Sequence, residues 1–337
     1  MQYLNKAKFS VSTYFTDKQS DEVTNMIQSN SDRFYSLSSS LEDICQQIHS
    51  DALDVLIFTD IGMCSTVDKI AALRLAPVQC LAWGHPITSG LPTIDYFLSS
   101  VLMEPEDGDS HYTEQLIRLP GIGIPYPKPT LPEAILSREY FQLSNTDIVY
   151  LSCQSLYKYL PQFDFVFSAI ASQIPRSKFV FIQSLHSPEV TKIFQNRLAD
   201  AFAGYDLDWQ CHCCFVSRLQ SQEYFSLNLV SDIYLDTIEW SGGNTTLEAI
   251  ACGLPIVTTP GTFMRGRHSS AMLQQMGIGD TIGKDISEYI AIAVRLGLDL
   301  QFRQQIKSML QEQHPLLYDD RRGVLMLEEL LEKWAKA

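Results

Sequence analysis

Short apolar runs alternate along the chain with stretches in which apolar residues recur every three or four positions. Apolar runs bounded by turn formers read as buried strands. In the first part of the chain they are residues 9–15, 53–58, 78–83 and 96–98. Between the first two, Leu41, Ile44, Cys45 and Ile48 fall at i, i+3, i+4 and i+7, the spacing of one helix face. Residues 148–153, 179–183, 211–216, 233–235 and 256–259 repeat the strand pattern, with helical patterns between them at 162–172, 189–201, 223–228 and 245–252. From residue 286 to 337 the pattern is helical, broken near Pro315. Such alternation predicts an α/β protein built on mostly parallel sheets.

The rhythm breaks once. Residues 119–132 hold five prolines and two glycines in fourteen positions. Proline has no N–H to donate, so this stretch predicts a linker and not a core element. A chain of 337 residues also exceeds what one hydrophobic core usually holds. The expected division is an N-terminal Rossmann-like lobe over residues 1–120, a proline-rich linker over 121–145, and a second lobe with a helical tail over 146–337. In open parallel sheets ligands bind beyond the carboxyl ends of the strands. Two lobes facing a cleft would therefore carry their chemistry in the loops that follow strands.

Charge and cysteine usage narrow the partners. The net charge is −14, which argues against a nucleic-acid binder needing clustered lysine and arginine. Several of the eight cysteines sit inside apolar runs, as buried free thiols do in a reducing compartment. No apolar run is long enough to span a membrane, and the N-terminus lacks the core of a signal peptide. A cytoplasmic protein is expected. Cys211-His212-Cys213-Cys214 has no second pair to complete a metal site. Asp107-Gly-Asp109 and Asp206-Leu-Asp208 are poorly placed for one, so no metal is expected.

The sharpest motif is Asp236-Thr-Ile-Glu-Trp-Ser-Gly-Gly-Asn-Thr-Thr-Leu-Glu-Ala-Ile-Ala-Cys-Gly-Leu-Pro-Ile-Val-Thr-Thr-Pro260. It reads as strand, glycine-rich loop, helix, glycine cap, strand. Gly242 and Gly243 let backbone approach a ligand. Asn244 or Thr245 is the expected helix cap, with Thr246 beside them, and the helix start favours a phosphate. Glu248, on the first turn, is placed for a ribose hydroxyl. Arg265, Arg267 and His268 lead into the next helix, where guanidinium forks suit phosphate. In the first lobe, His85 stands in a loop bounded by Gly84 and Gly90, with Thr88 and Ser89 as candidate donors lining a cleft. Asp60 ends the strand at 53–58 and is a candidate base, or a turn former. Lys158 alone reads as a surface lysine at a helix start.

Ser-Gly-Gly-Asn-Thr-Thr-Leu-Glu-Ala followed by Cys-Gly-Leu-Pro-Ile-Val-Thr resembles the nucleotide-sugar lobe of GT-B glycosyltransferases. Pro260-Gly-Thr-Phe-Met-Arg-Gly-Arg-His268, Ser152-Cys-Gln-Ser-Leu-Tyr-Lys158 and the run from Leu73 to Gly90 narrow the similarity. Together they resemble the catalytic region of the O-linked N-acetylglucosamine transferase and SPINDLY family (glycosyltransferase family 41), in its bacterial type. The resemblance runs from about residue 8 to the end.

It implies the GT-B fold, two Rossmann-like lobes with C-terminal helices. It also implies an inverting enzyme that moves N-acetylglucosamine, or a similar sugar, from a nucleotide diphosphate sugar to Ser or Thr hydroxyls of a protein. Family members use N-acetylglucosamine or fucose donors; UDP-N-acetylglucosamine is the expected one. The resemblance makes Lys158 the group that stabilises the leaving diphosphate, and places Gln154 and Ser155 at the nucleotide. Asp60 and His85 are the remaining catalytic candidates. No cofactor beyond the co-substrate is implied. The family's helical repeats and the first elements of its first lobe have no counterpart here. Ser221 and Tyr224 stand where a family lysine or histidine is expected. A nucleotide-sugar epimerase of the same fold and a catalytically silent nucleotide-binding protein are the alternatives.

Overall fold

A computed structural model describes residues 1–17, 20–37, 40–185 and 187–336. Ala337, the end of the expected helical tail, lies outside them. The chain forms two compact units, Met1–Pro125 with Asp320–Ala337, and Tyr126–Asp319.

The first unit contains β1 (Ser12–Phe15), α1 (Glu22–Asn30), β2 (Arg33–Ser36), α2 (Leu41–Ser50), β3 (Val55–Phe58), α3 (Ser65–Ala71), β4 (Val78–Ala82), β5 (Tyr96–Ser100) and β6 (Gln115–Leu119). Strands β1 and β2 form a parallel pair; β3 to β6 form a second parallel sheet in sequence order. The pattern reading missed β2 and β6. Both are short and carry polar residues, and β6 is an edge strand where Gln115 and Arg118 reach solvent.

Alternate residues of the four-stranded sheet make one apolar face, Val55, Ile57, Val78, Cys80, Tyr96, Leu98, Ile117 and Leu119. This is the period of two that a pleated strand imposes. The last helix, α12 (Arg322–Trp334), covers it with Met326, Leu327, Leu330, Leu331 and Trp334. Trp334 stacks on Tyr96 with centroids 4.5 Å apart. The tail is therefore not all part of the second unit, as the expected boundaries had it. Its final helix returns because the first sheet has an apolar face to cover. Trp334→Ala should destabilise the first unit by about 3 kcal/mol, read as a lower urea midpoint. A midpoint equal to that of the unaltered protein would contradict this packing.

The second unit opens with β7 (Ile148–Leu151), α4 (Phe165–Ala171), β8 (Ser177–Ile182), α5 (Pro188–Ala203), β9 (Cys213–Val216), α6 (Ser221–Val230) and β10 (Ile233–Leu235). It continues with α7 (Asn244–Ala251), β11 (Ile256–Val257), α8 (His268–Gln275), α9 (Ile286–Leu298), α10 (Leu300–Glu312) and α11 (His314–Leu317). Pro315 lies in the first turn of α11, where its missing N–H costs nothing. The sheet order is β11-β10-β7-β8-β9, all parallel. Val149, Tyr150, Leu151, Phe179, Val180 and Phe181 are fully buried, as expected for strands covered on both faces.

This order carries the functional argument. From β7 the chain winds through β8 to β9, then returns to the other side of β7 for β10 and β11. The loops after β7 and β10 therefore diverge, which opens a crevice at the carboxyl ends of adjacent strands. The sequence motifs had singled out those same two loops.

Candidate active site

Asp236, at the end of β10, organises the crevice. Its carboxylate is buried and accepts from Ser241 Oγ (2.6 Å), Gly242 N (2.8 Å) and Thr258 Oγ1 (2.7 Å). Burial raises its pKa against the pull of these donors. Ser241 Oγ in turn accepts from Ser269 N (2.8 Å), and Ser269 Oγ lies 2.7 Å from Thr246 Oγ1. One carboxylate thus ties the loop after β10 to β11 and to the start of α8. Sequence reading quoted Asp236 within the motif but gave it no role. The available signal was an aspartate closing an apolar strand before Ser-Gly-Gly.

The glycine-rich loop differs from expectation in detail. Gly243 is the helix cap, and no side chain caps α7. Thr245 does not serve as the cap because its hydroxyl bonds Tyr234 OH (3.0 Å) and Gln154 Nε2 (3.2 Å). Thr246 is buried and committed to Ser269, so it holds the loop and does not face a ligand. A Cβ on Gly242 would lie 2.4 Å from Thr246 Oγ1, so this glycine answers to internal packing. Asn244 is exposed, Gly243 and Thr245 are half-buried, and a Cβ on Gly243 would meet nothing. Among the described residues the N–H groups of Asn244 and Thr245 have no acceptor, which leaves the helix start open to an anion.

Across the crevice, the loop after β7 brings Gln154 and Lys158. Gln154 is buried and bridges the two loops: its Nε2 donates to Thr245 and its Oε1 accepts from Lys158 Nζ at 3.3 Å. Ser155 is exposed beside them. Burial lowers the Lys158 pKa, because a desolvated ammonium lacks a counter-charge. Its Nζ lies 5.4 Å from the centre of the Trp240 ring.

The three basic candidates separate. Arg265 packs against Trp240 and Phe263, 5.7 and 4.5 Å from the ring centres. Arg267 instead donates to Gly261 O at 3.1 Å and braces its own loop. His268 is buried, and desolvation pushes its pKa down to about 4, so it is neutral at pH 7. Glu248 lies in the second turn of α7, not the first; it is half-buried, and burial raises its pKa against the pull of the Tyr224 hydroxyl. That phenol also contacts Cys153 Sγ at 3.4 Å. No group of three or more metal-ligating side chains occurs among the described residues.

Residues 2–122 and 129–320 match the family model described as Glycosyl transferase family 41.

The chain belongs to that family.

The family 41 chain is 27% identical over 269 residues to a probable UDP-N-acetylglucosamine–peptide N-acetylglucosaminyltransferase SPINDLY of Arabidopsis thaliana, covering 80% of this chain and 29% of that protein. It thus spans under a third of the length of this curated relative. An O-GlcNAc transferase of Thermobaculum terrenum superposes with a TM-score of 0.85 at 24% identity, over 99% of this chain and 63% of the other. A UDP-forming trehalose-phosphate synthase of Burkholderia xenovorans gives a TM-score of 0.57 at 11% identity, over 88% and 78%. These neighbours place the fold in the GT-B class.

In the first unit of this family 41 chain, the loops that carry Asp60 and His85 meet at the carboxyl ends of β3 and β4. A Cβ on Gly84 would lie 2.3 Å from Thr59 O, and one on Gly62 2.5 Å from the His85 ring. Gly62 has φ +88°, so glycine is needed there twice over. Burial, helped by Asp68, raises the Asp60 pKa, which suits proton acceptance. Thr88 and Ser89 are not free donors. Thr88 Oγ1 donates to Glu114 Oε2 at 2.7 Å, and Ser89 gives both its N–H (2.8 Å) and its hydroxyl to Oε1. Glu114, which sequence reading passed over, thereby pins the His85 loop to the start of β6. No helix among the described residues is long and apolar enough to cross a membrane.

Proposed function

We propose that this chain is the catalytic region of an inverting glycosyltransferase. It transfers N-acetylglucosamine, or a similar sugar, from a nucleotide diphosphate sugar to Ser or Thr hydroxyls of a protein. UDP-N-acetylglucosamine is the proposed donor. Family membership supports the reaction class. The observation that carries the reading is the convergence of Lys158, Arg265 and the open α7 start on the crevice between β7 and β10.

Sugar transfer leaves a diphosphate whose charge grows in the transition state, so fixed positive groups aimed there lower the barrier. In this reading they replace a metal ion, and the co-substrate is the only non-protein group. Lys158 is held half-buried at a cost that an arriving diphosphate offsets by pairing with it. The acceptor hydroxyl must lose a proton, and Asp60 and His85 are the proposed candidates for accepting it.

Saturating UDP should raise the melting temperature by about 3 °C, the effect of a ligand at roughly a hundred times its dissociation constant. GDP should do less. A thermal-shift series in which neither UDP, GDP nor their sugars moves the transition would end this proposal.

A further inference from the structure

The Trp240 ring contacts two cations that the proposed function needs. Lys158 Nζ approaches its ring from the loop after β7 at 5.4 Å, and Arg265 from the loop after β11 at 5.7 Å. Both fall within the range at which a ring quadrupole attracts a cation. The ring is a contact that both cations share.

The backbone around Trp240 is built to keep this register. Glu239, just before it, has φ +66°, a left-handed conformation that costs energy for a residue with a side chain. Ser241, just after it, donates its N–H to Arg265 O at 2.7 Å. Gly261 N donates to Gly266 O at 2.8 Å. A Cβ on Gly266 would lie 3.0 Å from Gly261 Cα and 3.1 Å from Glu239 Cα, so the loops after β10 and β11 meet backbone to backbone. The indole and the guanidinium thus sit on two loops clamped to each other. The lysine meets them from the far side of the switch point.

We infer that Trp240 is a positioning residue for the diphosphate. It holds the Lys158 ammonium and the Arg265 guanidinium together as a two-cation cradle across the crevice. This rests on the proposed function, because it assigns the cradle to the leaving group of that reaction.

The test uses the whole chain with three probes: inorganic pyrophosphate, UDP and uridine. Trp240→Ala should weaken pyrophosphate and UDP about tenfold by calorimetry, the combined loss of two cation–ring contacts. Uridine, which has no phosphate, should bind as before. Trp240→Phe keeps an aromatic face and should recover most of the lost affinity. Equal loss of uridine and UDP would make Trp240 a base platform or a packing residue and overturn the inference. Unchanged pyrophosphate affinity in Trp240→Ala would overturn it while the function stands. An unaltered protein that binds neither pyrophosphate nor UDP overturns both.

Discussion

On the proposed function, Lys158→Ala should lower sugar transfer by about a hundred- to a thousandfold, with the fold intact. The size follows from losing a preorganised positive group at a developing charge, worth a hundred- to a thousandfold for a single donor in a water-poor site. The intact fold follows from the surroundings of Lys158. Among the described residues its side chain makes one hydrogen bond, to Gln154, and one ring contact, and burial already disfavours its charge. Removing it relieves desolvation and leaves the hydrogen bond from Gln154 to Thr245 in place. The melting temperature should therefore stay within about 2 °C. Lys158→Arg keeps the charge but not its reach and should recover only part of the rate. Transfer by Lys158→Ala within a few-fold of the unaltered protein would show that another group meets the diphosphate.

Asp236→Ala has the opposite signature. It touches no proposed substrate atom, yet it should cost about 4 kcal/mol of stability and lose nucleotide binding with it. Two buried donors, Gly242 N and Thr258 Oγ1, lose their acceptor at once, and Ser241 Oγ keeps only Ser269 Oγ at 2.9 Å. Each stranded donor costs about 1–3 kcal/mol, and relief of the buried charge offsets only part of the sum. Asp236→Asn should be milder than Ala but still destabilising, because its amide turns a donor toward groups that are themselves donors. Urea unfolding reads the effect directly. A loss under about 1 kcal/mol would mean that the loop after β10 is held by its glycines and not by this carboxylate.

The two variants separate roles that the sequence motif merges. Asp236 to Glu248 reads as one nucleotide signature. In the structure it divides into groups that build the loop (Asp236, Ser241, Gly242, Thr246) and groups that face the crevice (Trp240, Gly243, Asn244). The division was not legible in sequence, because a hydroxyl next to glycines looks the same whether it faces a ligand or a neighbouring strand. Thr246 and Ser89 are the clearest cases. Both stand at motif positions, and both spend their hydroxyls on partners 23 and 25 residues away.

What the sequence determined by itself was the local periodicity and its consequences. Fully buried parallel strands are nearly continuous apolar runs, so β7, β8 and β10 stood out. A proline-rich stretch cannot pair in a sheet, so a division of the chain near residues 119–132 could be read from it. The motif order also carried the family resemblance. Tertiary structure alone decided which pieces share a unit and which side chains meet. The helix Arg322–Trp334 belongs with the first unit because Tyr96 and Leu98 offer it an apolar face far away in sequence. Lys158, Trp240 and Arg265 converge because β10 crosses back over β7, which brings three loops to one end of the sheet. Periodicity is local, whereas convergence depends on strand order, and no residue-by-residue pattern encodes that order.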